Sequence, residues 1–282
     1  MLLTCVIFWG WSFVATKIAV AYVNPFELLA LRYIFGLPIL LAVLFAKKIK
    51  FQFEKRDKIA ILLGSTIITT HFLIQITGLK YTSATNTGWI ISVTPLIMAV
   101  LAFFFLKEKI GIRQITGIVV ATIGILLLIS KGKLSNFRWL KSTGDWLVLL
   151  SAHTWAFYAI ATRYVSQRRN PLAVTVGVLG PSALVIILYV SFKSDWSKFL
   201  HLPLEPLLAI IFLGVFAMGL AQWFWQIGMA KLGAARAGIF LYLEPLATTA
   251  LAVPYLHEQF GLFSAIGGFL VLAGVFVAEK KK

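Results

Sequence analysis

Residues 78–124 read GLKYTSATNTGWIISVTPLIMAVLAFFFLKEKIGIRQITGIVVATIG, and residues 228–274 read GMAKLGAARAGIFLYLEPLATTALAVPYLHEQFGLFSAIGGFLVLAG. Placed 150 residues apart without a gap, they agree at twelve positions: Gly78/Gly228, Ala84/Ala234, Gly88/Gly238, Pro95/Pro245, Leu96/Leu246, Leu101/Leu251, Ala102/Ala252, Leu106/Leu256, Glu108/Glu258, Gly111/Gly261, Gly117/Gly267 and Gly124/Gly274. A composition this biased gives about three or four matches by chance, so a duplication is the better account. Several matches are Gly, Pro or Glu, which shared hydrophobicity does not supply. Outward from this core, Trp11/Trp155, Phe13/Phe157 and Ala15/Ala159 agree at a shift of 144, and Asn24-Pro25 recurs as Asn170-Pro171. The repeat therefore takes in both halves, residues 1–130 and 131–282.

The composition says where the halves reside. Of 282 residues, 60% are hydrophobic and only 13% charged, whereas about a quarter of a soluble domain is charged. So little charge cannot cover a water-facing surface, and lipid is the remaining solvent. The net charge of +16 does not signal nucleic acid, because the Lys and Arg sit in short tracts beside apolar runs, where they orient membrane helices. A single cysteine, Cys5, excludes an internal disulfide. The first apolar run begins at Leu2 without a basic flank or a small-residue cleavage site, and reads as a retained helix.

Ten apolar runs reach the length of about 20 residues that a spanning helix needs: 2–21, 25–46, 58–78, 82–106, 111–130, 143–163, 171–191, 203–228, 232–257 and 261–278. They are too long and continuous for barrel strands. Seventeen of the 26 basic residues fall in one set of connections (47–58, 107–113, 163–169, 231–236 and the tail from Lys280) and seven in the other. That bias predicts both termini in the cytoplasm; the basic 131–141 connection runs against it. The predicted fold class is an all-α integral membrane protein of ten transmembrane helices. Each half has five, an odd number, so the second enters from the opposite face. The halves are thus two inverted-topology five-helix repeats, an architecture that gives secondary transporters two similar states open to opposite sides.

Trp9-Gly10-Trp11-Ser12-Phe13, Pro25-Phe26 leading to Arg32-Tyr33, Pro95 followed by Leu106-Lys107-Glu108, and Glu244-Pro245 followed by Glu258 resemble the drug/metabolite transporter superfamily, and within it the EamA-type exporters. The likeness spans both halves. It implies a 5+5 inverted fold in the cell (inner) membrane, helices 1–4 and 6–9 around a central cavity, helices 5 and 10 at the periphery, and export of amino acids or related metabolites. Other members carry sugars or nucleotide sugars, so the resemblance leaves the substrate open.

Polar groups at membrane depth are costly and tend to face a cavity. Glu244 lies near the middle of helix 9 beside Pro245; it reads as a ligand for a substrate amino group, a proton carrier, or a buried partner of a helix cation. Helix 4 places Thr94 and Pro95 at the equivalent point, after a polar first half that includes Asn86. Paired interruptions in corresponding helices point to a midplane binding site. His71 and Gln75 share a face of helix 3 by their four-residue spacing. Trp155 and Tyr158, with His153, in helix 6 and Gln222 and Trp225 in helix 8 offer aromatic and amide surface to a planar or amphipathic solute. The predicted substrate-binding set is Glu244, Thr94, Asn86, His71, Gln75, Trp155, Tyr158, Gln222 and Trp225. Arg32 is expected to pair with Glu27, although an anchor for a substrate carboxylate is the sharper alternative. Glu108 and Glu258 are expected to cap the helix that follows each. The small faces Gly117/Ala121/Gly124 and Gly267/Gly268/Gly274 suit helix packing or a dimer contact.

No metalloprotease, nucleophile-elbow, phosphate-loop or Cys/His signature is present, so neither an enzyme nor a metal or other cofactor is expected. Asp57, Asp145 and Asp195 are scattered among connections, which disfavours a lipid-modifying membrane enzyme. The partners expected are a small-molecule substrate and the lipid bilayer, with no nucleic acid. Proton coupling, facilitated diffusion, import of a sugar, nucleoside or amine, and a monomer or a homodimer remain open.

Overall fold

A computed structural model describes residues 1–130, 140–256 and 262–279. Among these residues the chain is helical, with no strand. The helices are α1 (Leu2–Ala19), α2 (Pro25–Ala46), α3 (Lys55–Tyr81), α4 (Ala84–Ile91 and Thr94–Leu106), α5 (Ile112–Ser130), α6 (Thr143–Arg168), α7 (Pro171–Lys193), α8 (Leu204–Leu232), α9 (Ala234–Ile239 continuing to Glu244–Leu256) and α10 (Leu262–Glu279). Seven of them, α1–α4 and α7–α9, are long and apolar enough to cross a membrane. The chain is a multi-pass membrane protein. α5 and α10 carry shorter apolar stretches, Ile112–Leu127 and Ala265–Ala278.

Local chemistry starts the helices. Asn24 begins α2 with a capping box: its side chain accepts from the Phe26 and Glu27 amides, Glu27 accepts from the Asn24 amide, and Pro25 takes the first helical position. Ser142 and Asp145 build the same device at α6. α4 and α9 are both interrupted. Ser92 and Val93 form a turn before Thr94-Pro95, and Phe240–Leu243 tightens to a 3-10 turn before Glu244-Pro245. A proline cannot donate to the preceding turn, so each break falls just ahead of one.

α8 holds a break with no proline. Leu213–Leu220 is π-helical, and the loosened ladder leaves carbonyls for neighbours. Trp9 Nε1 donates to the Ala217 carbonyl at 3.0 Å, and Cys5 Sγ to that of Ala221. Gly214 lies against α2 so closely that a Cβ on Gly36 would stand 2.4 Å from its carbonyl oxygen.

α5 and α10 pack on each other at the side of the bundle. A Cβ at Gly117 would meet the Gly274 carbonyl at 2.4 Å, and one at Gly124 would meet that of Gly267 at 2.7 Å. One helix therefore rises as the other falls, and the small faces are a packing surface within the chain. α4 and α9 cross in the same reciprocal manner: Gly88 faces Thr248, and Gly238 faces Met98.

Candidate functional site: a small cavity lined by Arg32 and Glu244

The helix ends hold their carboxylates firmly. Glu108, at the end of α4, accepts from Arg163 Nε of α6 and the Ala234 amide at 3.0 Å on Oε1, and from the Ala235 amide at 3.0 Å on Oε2. This corrects one expectation: Glu108 caps α9 across the bundle, not α5 next in sequence, because the α9 N-terminus offers the orphan amides. Glu258 lies outside the described residues. At the opposite end of α6, Asp145 Oδ1 accepts from Asn86 Nδ2 at 2.6 Å and Thr82 Oγ1 at 2.5 Å, and its Oδ2 accepts from the Lys141 and Ser142 amides at 2.8 Å. Asn86 is therefore part of a helix-end clasp and does not line the cavity, a second correction. Lys17 donates to the carbonyls of Leu79 and Thr82 at 2.9 and 2.7 Å, tying α1 to the same turn.

The third correction concerns Arg32. Its expected partner Glu27 is taken by Lys198, Ser194 and the Asn24 amide. Five residues, about 1.4 helical turns, separate Glu27 from Arg32, and Glu27 sits in the capping box and faces the α7–α8 connection. Arg32 is 2% exposed and lies over the Phe72 ring, 4.7 Å from its centroid. Its Nε has no acceptor, and among the described residues it forms no ion pair.

Arg32 lines a cavity of about 30 Å³ together with Glu244. The other walls are Trp9, Ser12 and Phe13 of α1, His71, Phe72 and Gln75 of α3, Ile91 at the α4 break, Trp155 of α6 and Leu241 of α9. Every one of these residues is buried. Among the described residues the Glu244 carboxylate has no hydrogen-bond or ion-pair partner. The α9 break puts it here: the 3-10 turn ends at Leu243, and Glu244 opens the next helical segment.

Two tryptophans, Trp9 and Trp155, line the cavity, and Trp225 backs them. The Trp9 and Trp155 centroids are 4.7 Å apart and nearly perpendicular, and Trp225 lies 5.4 and 5.6 Å from the two. Trp155 Nε1 and Trp225 Nε1 lack acceptors. His71 Nδ1 lies 2.9 Å from the Ser151 carbonyl, which can only accept, so Nδ1 carries the proton and Nε2 is an acceptor.

Of the predicted set, Glu244, His71, Gln75 and Trp155 line the cavity, and Trp225 backs it. Tyr158 packs on Trp155 at 5.3 Å, but its hydroxyl is committed to Gln226 at 2.8 Å. Gln222 and Thr94 are fully buried with unpartnered polar atoms and do not line the cavity. His153 is exposed and bonds to Leu149 within its own helix. Sequence reasoning missed Trp9, Ser12 and Phe72, and it gave Arg32 the wrong partner. The three-residue spacing of Trp9 and Ser12 on α1 was the available signal.

A buried guanidinium and a buried carboxylate facing one void, each unpaired, form a two-pole site. Arginine presents a planar fork that matches a carboxylate, and a carboxylate accepts from an ammonium. A water needs about 10–15 Å³, so a void of about 30 Å³ has room for two or three waters.

Comparison with known proteins gives the class. The EamA-like transporter family matches residues 1–130 and again 142–279, nearly the whole chain, and the chain belongs to that family. It is 30% identical over 282 residues to a Bacillus subtilis protein named uncharacterized transporter YyaM, covering 99% of this chain and 92% of that one. An Archaeoglobus fulgidus protein, also named an uncharacterized transporter, is 24% identical across 100% of this chain and 97% of its own. A WAT1-related chloroplastic protein of Arabidopsis thaliana is 27% identical over 96% of this chain and 67% of its own length. A solved crystal structure superposes with a TM-score of 0.76 at 21% identity, covering 98% of this chain and 94% of that one, a likeness of fold.

Proposed function

We propose that this membrane transporter exports small zwitterionic metabolites, amino acids first among them, by alternating access around the Arg32–Glu244 cavity. The observation that carries the substrate class is one basic and one acidic side chain on one small void, both buried and neither with an ion-pair partner among the described residues. An α-amino acid would satisfy both poles at once, its carboxylate on Arg32 and its ammonium on Glu244, with its side chain against Trp9 and Trp155. Taking charges out of water costs several kcal/mol per ion, and a ligand that pairs both returns part of it. The direction rests on the resemblance to EamA-type exporters.

The mechanism rests on ten spanning helices arranged as two inverted repeats, 1–130 and 131–282, with both termini in the cytoplasm. The reciprocal glycine contacts support this reading. Gly117 meets Gly274 while Gly124 meets Gly267. Adding 150 to the first partner and subtracting it from the second turns one contact into the other. Gly88 with Thr248 and Gly238 with Met98 obey the same exchange. Contacts that interconvert this way are those of a two-fold axis, and antiparallel mates put that axis across the helices, in the plane of the membrane. Rocking of the halves would open the clasp at Glu108–Arg163 or the one at Asn86–Asp145 in turn.

The test is transport by purified protein in liposomes loaded with a labelled amino acid, its decarboxylated amine or its deaminated acid. Flux of the zwitterion, and its collapse in Glu244→Gln and Arg32→Gln with insertion intact, is the expected result. Equal flux of all three compounds, or variants that transport normally, would defeat the two-pole site.

A further inference from the structure

We propose that a second site, at the α4–α5 and α8–α9 turns, holds the phosphate headgroup of an anionic phospholipid. There the chain forms a cavity of about 460 Å³ lined by Glu108, Lys109, Gln114, Arg163 and Arg236 among others. The turns are shaped by two left-handed residues, Lys107 at φ 53° and Gly233 at φ 89°. Lys107 ends α4, and the Glu108 amide closes the turn on the Ala102 carbonyl. The next two residues then point in different directions. Glu108 turns inward to the α9 amides, and Lys109 is left at the rim.

The charge balance identifies the ligand. The single carboxylate in the cavity is already matched by Arg163 and two amides. Lys109 and Arg236 have no hydrogen bond or ion pair among the described residues, and both face the same void. The site thus carries two uncommitted positive charges beside a neutralised acid, and it complements a phosphate.

The surroundings select a lipid over a soluble anion. Immediately before the turn, Phe103, Phe104 and Phe105 are 54%, 69% and 70% exposed, and Ile112 immediately after it is 75% exposed. Side chains of this kind on a membrane protein face acyl chains. A basic cavity between helices at the membrane boundary, adjoining an apolar wall, matches both ends of a phospholipid. Such a lipid would bridge the first-half turn to the second-half turn, across the same seam as the Glu108 clasp.

The experiment takes the full chain from bilayers of equal parts phosphatidylcholine and phosphatidylglycerol and reads retained lipid by native mass spectrometry. Phosphatidylglycerol is expected to be retained in preference to phosphatidylcholine. The double variant Lys109→Gln/Arg236→Gln should weaken that preference about thirtyfold, two surface basic contacts' worth, while Lys47→Gln/Lys48→Gln, in another basic tract, keeps it. If the double variant does not fold, Lys109→Glu alone, on an exposed side chain, reads the same loss. Equal retention of the two lipids by the unaltered chain, or an unchanged preference in the variants, overturns the proposal. So does displacement of the lipid by millimolar inorganic phosphate, which marks a free-anion site.

Discussion

At the helix ends the carboxylates have partners: Glu27 has Lys198, Ser194 and the Asn24 amide, Glu108 has Arg163 and two amides, Asp145 has Asn86, Thr82 and two amides, and Asp57 has Arg169 and the Glu54 amide on one oxygen and none on the other. In the middle, Glu244 and Arg32 are 3% and 2% exposed, and among the described residues neither has an ion-pair partner. The two regions use the same residue types. At the ends, side chains and helix amides donate to each of these carboxylates. The centre leaves two poles open toward a void, which is a stable arrangement only if the rest of the fold over-determines it. Partner count, more than burial, separates the two regions.

The contrast breaks most visibly at Glu108. Glu108→Ala removes a carboxylate and leaves Arg163 buried without its partner, a loss of about 3 kcal/mol. The melting temperature in detergent should fall by several degrees. Glu244→Gln is the opposite case: it replaces a buried acid that has no partner among the described residues by a neutral side chain of the same shape, so no buried group is stranded. Its melting temperature should therefore hold or rise while amino-acid flux is lost. If the two variants melt alike, the distinction between braced and open carboxylates is wrong.

Gly117→Ala tests the reciprocal packing. Its new Cβ would sit 2.4 Å from a backbone oxygen and 2.5 Å from the Ala278 Cβ, so α5 must shift along α10. Overpacking of this kind costs about 2 kcal/mol. The symmetry-related change Gly267→Ala should cost a similar amount, and strongly unequal effects would count against the pseudo-two-fold relation. Asn86→Ala should be milder, about 1.5 kcal/mol for one hydrogen bond to a charged group, because Asp145 keeps three other donors. A variant that melts normally and binds an amino acid less tightly would instead return Asn86 to the site.

The membrane class and the helix positions were legible because both rest on composition and run length. The breaks in α4 and α9 were legible for a similar reason, since Pro95 and Pro245 announce them. The π segment of α8 was not. Leu213–Leu220 looks like any apolar helix, and its loosened ladder coincides with the close approach of Gly36 to Gly214, a contact between distant residues. Partners were the least legible feature. Glu27 lies near Arg32 in sequence, yet it is claimed by its own cap and by Lys198, 171 residues on. The local signs were the Asn24-x-x-Glu27 capping pattern and the five-residue spacing of Glu27 and Arg32, which puts them on different faces of the helix; the bond to Lys198 had no local sign.

The histidines give the smallest predicted effect and the finest comparison. His71 and His153 look alike in sequence, each in an apolar helix beside polar neighbours. The structure separates them. His71 is 2% exposed, donates across to α6 and stacks near Trp155 at 5.1 Å, with its other nitrogen available to the cavity. His153 is on the outer surface of α6 and bonds only to a carbonyl four residues back, which is already engaged by its own helix. His153→Ala should therefore change stability by less than about 0.5 kcal/mol and leave flux unchanged, whereas His71→Ala should lower flux by removing a cavity wall. Measured side by side in the same liposomes, the pair tests where the substrate travels. Loss of flux at His153 with none at His71 would put the path outside the Arg32–Glu244 cavity, along the lipid-facing side of α6, and the charge contrast would then describe folding rather than transport.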